Sequence, residues 1–267
     1  MSTDLTNLPA KDSQLPAHLA TYAKTGATGL EEMRNILTPP RLKVMQPMKG
    51  ENFNDFAVGT ALITPTNQVV CELDEYFGLT VLFAYQEFCV HNPHDRPEGL
   101  PMIRANSFDF NSEIAKKCQA FLSEPMPEDP TKEIKYATHI NALIIVHGVP
   151  DFENTPIMLS QYIGEFKAGR RMLDLLASRT QDGSPIYIHN LMAKPTLRQK
   201  EKKRWYGLDF SNPTADVDCG KYVPTTEFAE AYAKLHERCK ADKERFTIKY
   251  EDDDAPPKEG VTSDTLG

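Results

Sequence analysis

Short apolar runs separated by connections containing proline and asparagine predict a chain built mostly from strands. TALITP (60–65) and QVVCEL (68–73) flank Thr66-Asn67 and predict a hairpin, and PRLKVMQPM (40–48) predicts a short strand before it. Three longer strands are predicted at LTVLFAYQEFCVH (79–91), IKYATHINALIIVHG (134–148) and PIMLSQYIGEF (156–166). The first of these is apolar at nearly every position of its start, which favours burial on both faces.

The apolar spacing changes to that of a helix in two places. FKAGRRMLDLLASRT (166–180) predicts an internal helix, and TTEFAEAYAKLHERCKADKERF (225–246) predicts an amphipathic helix that Thr225 or Thr226 caps. Between them, PIYIHNLMAKPTLRQK and KRWYGLDFSNP predict the two strands of a second hairpin. The predicted fold class is therefore mainly β with α elements, namely one internal helix and one C-terminal helix.

Composition sets the predicted domain limits. Residues 1–37 are polar and weakly patterned and predict a flexible arm, whereas residues 92–133, rich in Pro, Asp and Asn, predict a long inserted excursion with one short helix near 112–122. The ordered domain is predicted to span 38–248, and residues 249–267 to form a disordered acidic tail.

The formal charge of −8 at pH 7 is unevenly distributed along the chain. Residues 251–267 hold six acids and one lysine, a charge of −5, so the rest of the chain carries −8 − (−5) = −3. Such a tail either increases solubility, or acts as a mobile polyanion that competes with nucleic acid for a basic groove or recruits partners.

Cysteine content and hydropathy indicate the compartment. The five cysteines form an odd set without paired spacing, which indicates reduced thiols rather than a disulfide framework. No apolar run approaches the roughly 18 residues of a membrane span, and the N-terminal residues have no signal-peptide pattern. The expectation is a soluble protein in the cytoplasm, without a membrane partner.

The sequence has no local signature of an enzyme, since it contains no phosphate-binding loop, no metalloprotease motif and no nucleophile elbow. One weak pattern remains, Pro150-Asp151 followed by Glu165-x-Lys167, which loosely fits a nuclease superfamily in which two carboxylates hold magnesium. Because that superfamily places Glu-x-Lys on a strand and this chain places it where strand gives way to helix, the main expectation is that the protein is not an enzyme. A metal-dependent nuclease is kept as an alternative.

A second weak signal is a set of four residues of zinc-binding type. Cys89, His91, His94 and Cys118 could form a tetrahedral zinc site that orders the excursion, although the spacing is not that of a familiar finger. The alternative is a buried strand cysteine, two loop histidines and an unrelated helical cysteine. Zinc is therefore a candidate cofactor, and otherwise no cofactor is expected.

Basic and aromatic residues concentrate in the second hairpin. Single-stranded nucleic acid is bound without sequence preference by basic tracks with interleaved aromatic rings, because phosphates recur and every base has a face that stacks. The predicted contact residues of the hairpin and of its surroundings are Tyr187, Lys194, Arg198, Lys200, Lys202, Lys203, Arg204, Trp205 and Tyr206. A second basic cluster, Lys167, Arg170 and Arg171, begins the internal helix. The alternatives are that the hairpin tip is merely solvated, with lysines that protect a sheet edge against aggregation, and that the tryptophan packs in the core.

The layout resembles a family of bacteriophage single-stranded DNA-binding proteins that have an OB-fold and act in replication. The resemblance rests on TPPRLKVMQPM (38–48), on TPIMLSQYIGEFKAGRRMLDLL (155–176), and on the basic hairpin followed by an acidic C-terminus. Together these segments cover about half of the ordered chain, in the same order, with degenerate motifs. The chain departs from bacterial relatives in ending SDTLG, without the apolar tip through which such tails recruit partners.

The resemblance implies an OB-like barrel and sequence-independent binding and protection of single-stranded DNA in phage replication or recombination. It implies that Lys167, Arg170 and Arg171 contact the DNA together with the basic and aromatic side chains of the hairpin. It also implies that the acidic tail regulates access or contacts replication proteins. A non-enzymatic structural or host-interaction protein, whose basic hairpin grips an acidic partner, is the remaining alternative.

Overall fold

The computed structural model describes residues 40–47, 56–201, 203–214 and 219–241. The described strands are β1 (Arg41–Val44), β2 (Ala61–Thr64), β3 (Gln68–Cys71), β4 (Phe77–His91), β5 (Ile103–Ser107), β6 (Ser123–Met126), β7 (Asp129–Val146), β8 (Ile157–Gln161), β9 (Asn190–Lys200) and β10 (Lys203–Ser211). The described α-helices are α1 (Glu113–Gln119), α2 (Phe166–Arg179) and α3 (Thr226–Ala241). The predicted mainly β class is confirmed. The predicted arm 1–37, the tail 249–267 and Lys202 lie outside the described residues.

Strand pairing follows the order β10-β9-β4-β7-β8-β1-β2-β3, and β5 pairs with β4 while β6 pairs with β7. The β9–β10 hairpin is antiparallel over its whole length, from Lys203 opposite Lys200 to Ser211 opposite Met192. Both predicted hairpins are thus present, since β2 pairs antiparallel with β3 as well. Strands β4 and β7 are the longest and confirm two of the three longer strands predicted. The third, predicted over 156–166, is a strand only over Ile157–Gln161, because a 3₁₀ turn (Ile163–Glu165) follows it.

The described chain forms two compact units. The first contains residues 40–47, 56–83, 143–159, 172–201, 203–214 and 219–241, and the second contains residues 84–142 and 160–171. Strands β4 and β7 contribute residues to both units. The candidate residues divide between the two units as well.

The first unit has a barrel-like curl. Its strands bury apolar side chains such as Ile63, Leu79, Leu143, Met158 and Leu191. Strand β1 contacts β10, and the amide of Asp74, just after β3, donates to the carbonyl of Pro195 on β9 (3.1 Å). The two ends of the strand order therefore approach each other, as expected for the predicted barrel-like fold.

The second unit contains the whole of the predicted excursion 92–133. Phe88 and Val90 of β4 pack against the short helix α1 and against β6 and β7, with Cys118, Met126 and Ile134 as the other main contacts. The helix begins where the sequence predicts it, because the Ser112 side chain caps it by accepting from the amide of Ala115 (3.1 Å). The strands β5 and β6 were not predicted, since IRANS and SEPM are too short and polar to show a strand pattern.

The two longer helices bury residues of the apolar faces that the sequence predicts for them. In α2, Met172 and Leu176 lie one turn apart and are buried, and in α3 Tyr232 and Cys239 lie two turns apart and are buried. The hydroxyl of Thr225 accepts from the amide of Phe228 (3.4 Å), which confirms one of the two capping residues named from the sequence.

Candidate nucleic-acid interface and buried donor cluster

The register of the β9–β10 hairpin assigns each basic and aromatic residue to one of its two faces. Residues directly opposite each other in an antiparallel pair share a face, and neighbours along a strand alternate. Trp205 lies opposite Arg198, Lys203 opposite Lys200, and Asp209 opposite Lys194. These residues form one face, which we call the Trp205 face. Arg204, opposite Gln199, and Tyr206, opposite Leu197, lie on the other face.

Two basic side chains of the Trp205 face form ion pairs with carboxylates of the same unit. The Arg198 guanidinium donates to the Asp209 carboxylate and to the carbonyl of Leu208, both at 2.9 Å. Lys194 Nζ lies 3.9 Å from the Asp74 carboxylate and 5.1 Å from the ring centre of the exposed Tyr76. Lys200 and Lys203 are exposed at the tip of the hairpin. The face therefore has charge paired with acids at its base and exposed charge at its tip.

Trp205 and Tyr206 are both half-buried, and they occupy different settings. The backbone of Tyr206 is pinned by the side chain of Gln46, whose amide donates to the Tyr206 carbonyl (2.6 Å) and accepts from its amide (2.9 Å). The Tyr206 ring packs over Gly59, where an added Cβ would come within 3.0 Å of the ring. Because the two rings point to opposite faces of one strand, a nucleic acid lying on the hairpin contacts one of them at a time.

The second basic cluster, Lys167, Arg170 and Arg171, is exposed at the start of α2. It belongs to the second unit, whereas the hairpin belongs to the first. Tyr187 lies in a 3₁₀ turn (Ile186–Ile188), and its ring packs against His236 of α3 with ring centres 5.2 Å apart. Tyr187 is therefore in contact with a helix of its own unit.

The residues of the nuclease pattern also divide between the units. Asp151 lies in a 3₁₀ turn (Pro150–Phe152) of the first unit, and Glu165 ends a 3₁₀ turn (Ile163–Glu165) of the second. Lys167 follows in the first turn of α2. None of the three lies on a strand, in agreement with the departure from the nuclease pattern that the sequence shows.

A buried polar cluster occupies one face of β4 and β7 in the second unit. Glu87 and Cys89 alternate along β4 and therefore share a face, and His139 lies on the neighbouring strand β7. All three are fully buried, and their donor atoms lie within 4.8 Å of one another. The sequence singled out Cys89 but neither Glu87 nor His139.

Hydrogen bonds connect this cluster into one network. Glu87 accepts from the side-chain amides of Asn106 (2.6 Å) and Asn141 (2.7 Å). The Ser160 hydroxyl donates to the Asn141 side-chain carbonyl (2.6 Å) and lies 3.3 Å from His139 Nδ1. Since the single hydroxyl proton of Ser160 goes to Asn141, the short contact to His139 requires Nδ1–H to be the donor. In the neutral ring, Nε2 of His139 then carries the lone pair.

Burial favours the neutral forms of the two histidines, His91 and His139, and of the Cys89 thiol. Desolvation, together with the nearby His94, lowers the pKa of His91 to about 4, and desolvation together with His91 lowers the pKa of His139 well below its usual value. Burial, followed by the charge of Glu87, raises the pKa of the Cys89 thiol. A hydrogen bond from the Cys89 thiol to Glu87 raises the pKa of the thiol further.

The four zinc candidates from the sequence are not gathered around one point in the same way. His91 shares the face of Cys89 on β4, and its Nε2 lies 2.8 Å from Nε2 of His139. Cys118 lies in α1 and its thiol donates to the backbone carbonyl of Cys89 (3.6 Å), while His94 is exposed beyond the end of β4. Among the described residues, it is Glu87 and His139 that form with Cys89 a group whose donor atoms all lie within 4.8 Å of one another.

Comparison with known proteins gives no relative from which a role could be carried over. No protein-family model, no curated protein and no solved structure matches this chain. Among the described residues, no helix is both long and apolar enough to cross a membrane.

Proposed function

We propose that this protein binds single-stranded DNA without sequence preference through the Trp205 face of the β9–β10 hairpin, and breaks no bond in doing so. The observation that carries the proposal is the cross-strand register, which places Trp205 beside Arg198 with Lys200 and Lys203 beyond them. An aromatic ring flanked by cations on one strand face is the arrangement that stacks a base while neighbouring phosphates are neutralised.

The dimensions of this face suit a short segment of single strand. Lys194 and Lys200 are six residues apart on β9, a distance of about 20 Å at the rise of an antiparallel strand. About six nucleotides at a stacked spacing of roughly 3.4 Å span that distance, which lies within the site sizes of single-strand binders. The half-buried position of Trp205 leaves part of its ring at the surface for a base.

Salt dependence follows from the charges on the face. Binding to single strands loses affinity with salt at a slope of about −0.7 per phosphate neutralised, so three to four contacts predict a slope of about −2 to −3. Arg198 is already paired with Asp209, and Lys194 with Asp74. A phosphate that binds either base would replace its carboxylate and exchange one ion pair for another. Arg198 and Lys194 therefore contribute less to the salt slope than Lys200 and Lys203.

Adjacent residues on opposite faces provide a matched test. We expect Lys203→Gln, on the Trp205 face, to weaken binding of a labelled oligothymidine in fluorescence anisotropy several-fold more than Arg204→Gln, on the opposite face. Each substitution removes one charge from the exposed tip, so folding and net charge are controlled. Equal effects of the two variants, or binding of heparin as tight as that of the oligonucleotide, would show a general polyanion contact and refute the proposal.

The remaining parts of the proposal concern the biological setting. A role in phage replication or recombination follows from the resemblance of the segments 38–48 and 155–176 and of the basic hairpin. A cytoplasmic location and contacts of the acidic tail with replication proteins belong to the same proposal. Removal of residues 251–267 is expected to raise DNA affinity at low salt if the tail competes for the basic face, and unchanged affinity would remove that part.

A further inference from the structure

We propose that Glu87, Cys89 and His139 form a binding site for one divalent transition-metal ion of the zinc class, inside the second unit. The site does not coincide with the hairpin, which belongs to the other unit, and it does not depend on nucleic-acid binding. Its donor set also differs from the four residues that the sequence suggested.

The positions of the donors follow from the strand geometry. Glu87 and Cys89 project from one face of β4, and His139 comes from the paired strand β7, so a rigid backbone holds all three. Their donor atoms lie within 4.8 Å of one another. Donors bound to one tetrahedral ion at about 2.0–2.3 Å are about 3.3–3.8 Å apart, so closing around an ion needs side-chain shifts of about 1 Å.

The chemistry of the donors selects the class of metal. A thiolate and an imidazole favour zinc and similar ions, whereas magnesium and calcium prefer sites made only of oxygen. One carboxylate and one thiolate would balance the two positive charges of the ion, which makes a bound ion compatible with complete burial. On binding, the Cys89 thiol loses its proton to solvent as the sulfur–metal bond forms.

The surrounding hydrogen bonds already orient the donors. Asn106 and Asn141 hold the Glu87 carboxylate, and Ser160 accepts from Nδ1–H of His139, which leaves the lone pair on Nε2. Metal-binding histidines are oriented in this way, with the second ring nitrogen donating to an oxygen. The Tyr162 ring stacks on the His139 ring with centres 4.3 Å apart and fixes the plane of the imidazole.

A candidate fourth donor, His91, lies beside one of the three, His139. His91 Nε2 is 2.8 Å from His139 Nε2, so the two nitrogens form a hydrogen bond in which His91 must be the donor. In its other tautomer, His91 carries its hydrogen on Nδ1 and has a lone pair on Nε2. If both histidines then bound the metal instead of each other, the site would have four donors. The N···N separation would have to grow to about 3.3 Å, which is a small movement.

Cobalt(II) provides the test, because a thiolate bound to cobalt gives a charge-transfer absorption that no oxygen or nitrogen ligand gives. The full-length protein, stripped of metal and reduced, is titrated with cobalt chloride and then with zinc chloride. We expect saturation at one cobalt per chain with the thiolate absorption, and its loss as zinc displaces cobalt. The absence of saturable cobalt binding by the wild-type chain would overturn the proposal.

Variants distinguish this donor set from the one that the sequence suggested. Cys89→Ser is expected to abolish the thiolate absorption, and Glu87→Gln and His139→Gln to lower cobalt affinity by more than the roughly 10–100-fold typical of an outer hydrogen-bonding partner. Cys118→Ser and His94→Gln are the matched controls and should change the affinity less than about twofold. Loss of the absorption in Cys118→Ser, or its survival in Cys89→Ser, would contradict the proposal.

The folding of each variant is checked by circular dichroism and thermal melting, because Cys89, Glu87 and His139 are buried. If Cys89→Ser does not fold, Glu87→Gln decides the matter. It preserves side-chain size, and the exposed Asn106 can turn its amide to present oxygen to the new glutamine. A folded Glu87→Gln protein with wild-type cobalt affinity would remove Glu87 from the site and overturn the proposed donor set.

Discussion

His147, at the end of β7, makes the stability of the first unit depend on pH. Its Nε2 lies 2.9 Å from the Thr80 hydroxyl, and its Nδ1 lies against the backbone of Gly78, where an added Cβ would be 2.9 Å away. This packing removes water from the ring, and desolvation lowers the pKa of His147 to about 4 from its usual value of 6.5. The folded protein therefore holds the ring neutral in a pH range where the unfolded chain protonates it.

The sign and size of the effect follow from that difference. Above about pH 6.5 the ring is neutral in both states, and below it the unfolded chain binds the extra proton, so the free energy of unfolding decreases as the pH falls toward 4. Each pKa unit corresponds to about 1.4 kcal/mol, so the full loss is about 3 kcal/mol and the loss at pH 4.5 is about 2–3 kcal/mol.

The assay is urea unfolding of the wild type and of His147→Gln at about pH 7 and about pH 4.5. Glutamine keeps a side chain that can bond to Thr80 but has no proton to gain. We expect the wild type to lose about 2–3 kcal/mol more than the variant between the two pH values, because all other titrating groups are common to both. Equal losses within about 0.5 kcal/mol would refute the reasoning.

Two further substitutions test packing and strand pairing. Gly169→Ala in α2 would place a Cβ 2.8 Å from Cβ of Gln161 and 3.2 Å from Ile140, so crowding should outweigh the gain of about 1 kcal/mol in helix propensity and lower the unfolding free energy by about 1 kcal/mol. A stabilised variant in urea unfolding would contradict this. Gln46→Ala removes both hydrogen bonds to the Tyr206 backbone and should cost about 1–2 kcal/mol, with faster hydrogen exchange at the Tyr206 amide. An unchanged exchange rate there would show that the side chain does not pin the strand.

The fold could be predicted wherever local pattern and burial agree. Apolar and polar residues alternate at 194–198 and again at 208–210, and the charged stretch between them indicates a turn, so the sequence predicts the β9–β10 hairpin. Residues 103–107 and 123–126 give no such signal, because IRANS and SEPM are short and polar, although β6 pairs with the start of β7 only a few residues later, Met126 opposite Asp129. The grouping into two units depends on contacts between residues far apart in the sequence, which no local pattern shows.

The candidate sites show the same division between local and distant information. The alternation Glu87-x-Cys89-x-His91 places three potential donors on one strand face, so the sequence alone indicates Glu87 beside Cys89. His139 could not be added from the sequence, because nothing local reveals that β7 pairs beside β4. Likewise, strand period alone separates Arg204 from Trp205, whereas the pairing of Trp205 with Arg198 needs the register.

The central claim, that DNA lies on the Trp205 face, can be tested through Trp205 itself, since it is the single tryptophan of the chain. Tryptophan fluorescence is recorded while an oligothymidine is added, in parallel with anisotropy of the labelled oligonucleotide. Stacking of a base contributes about 1–3 kcal/mol, so Trp205→Ala should weaken binding by about tenfold or more in anisotropy. We expect fluorescence quenching that saturates with the same dissociation constant as the anisotropy. Oligonucleotide binding with unchanged tryptophan fluorescence and with full affinity in Trp205→Ala would contradict the account.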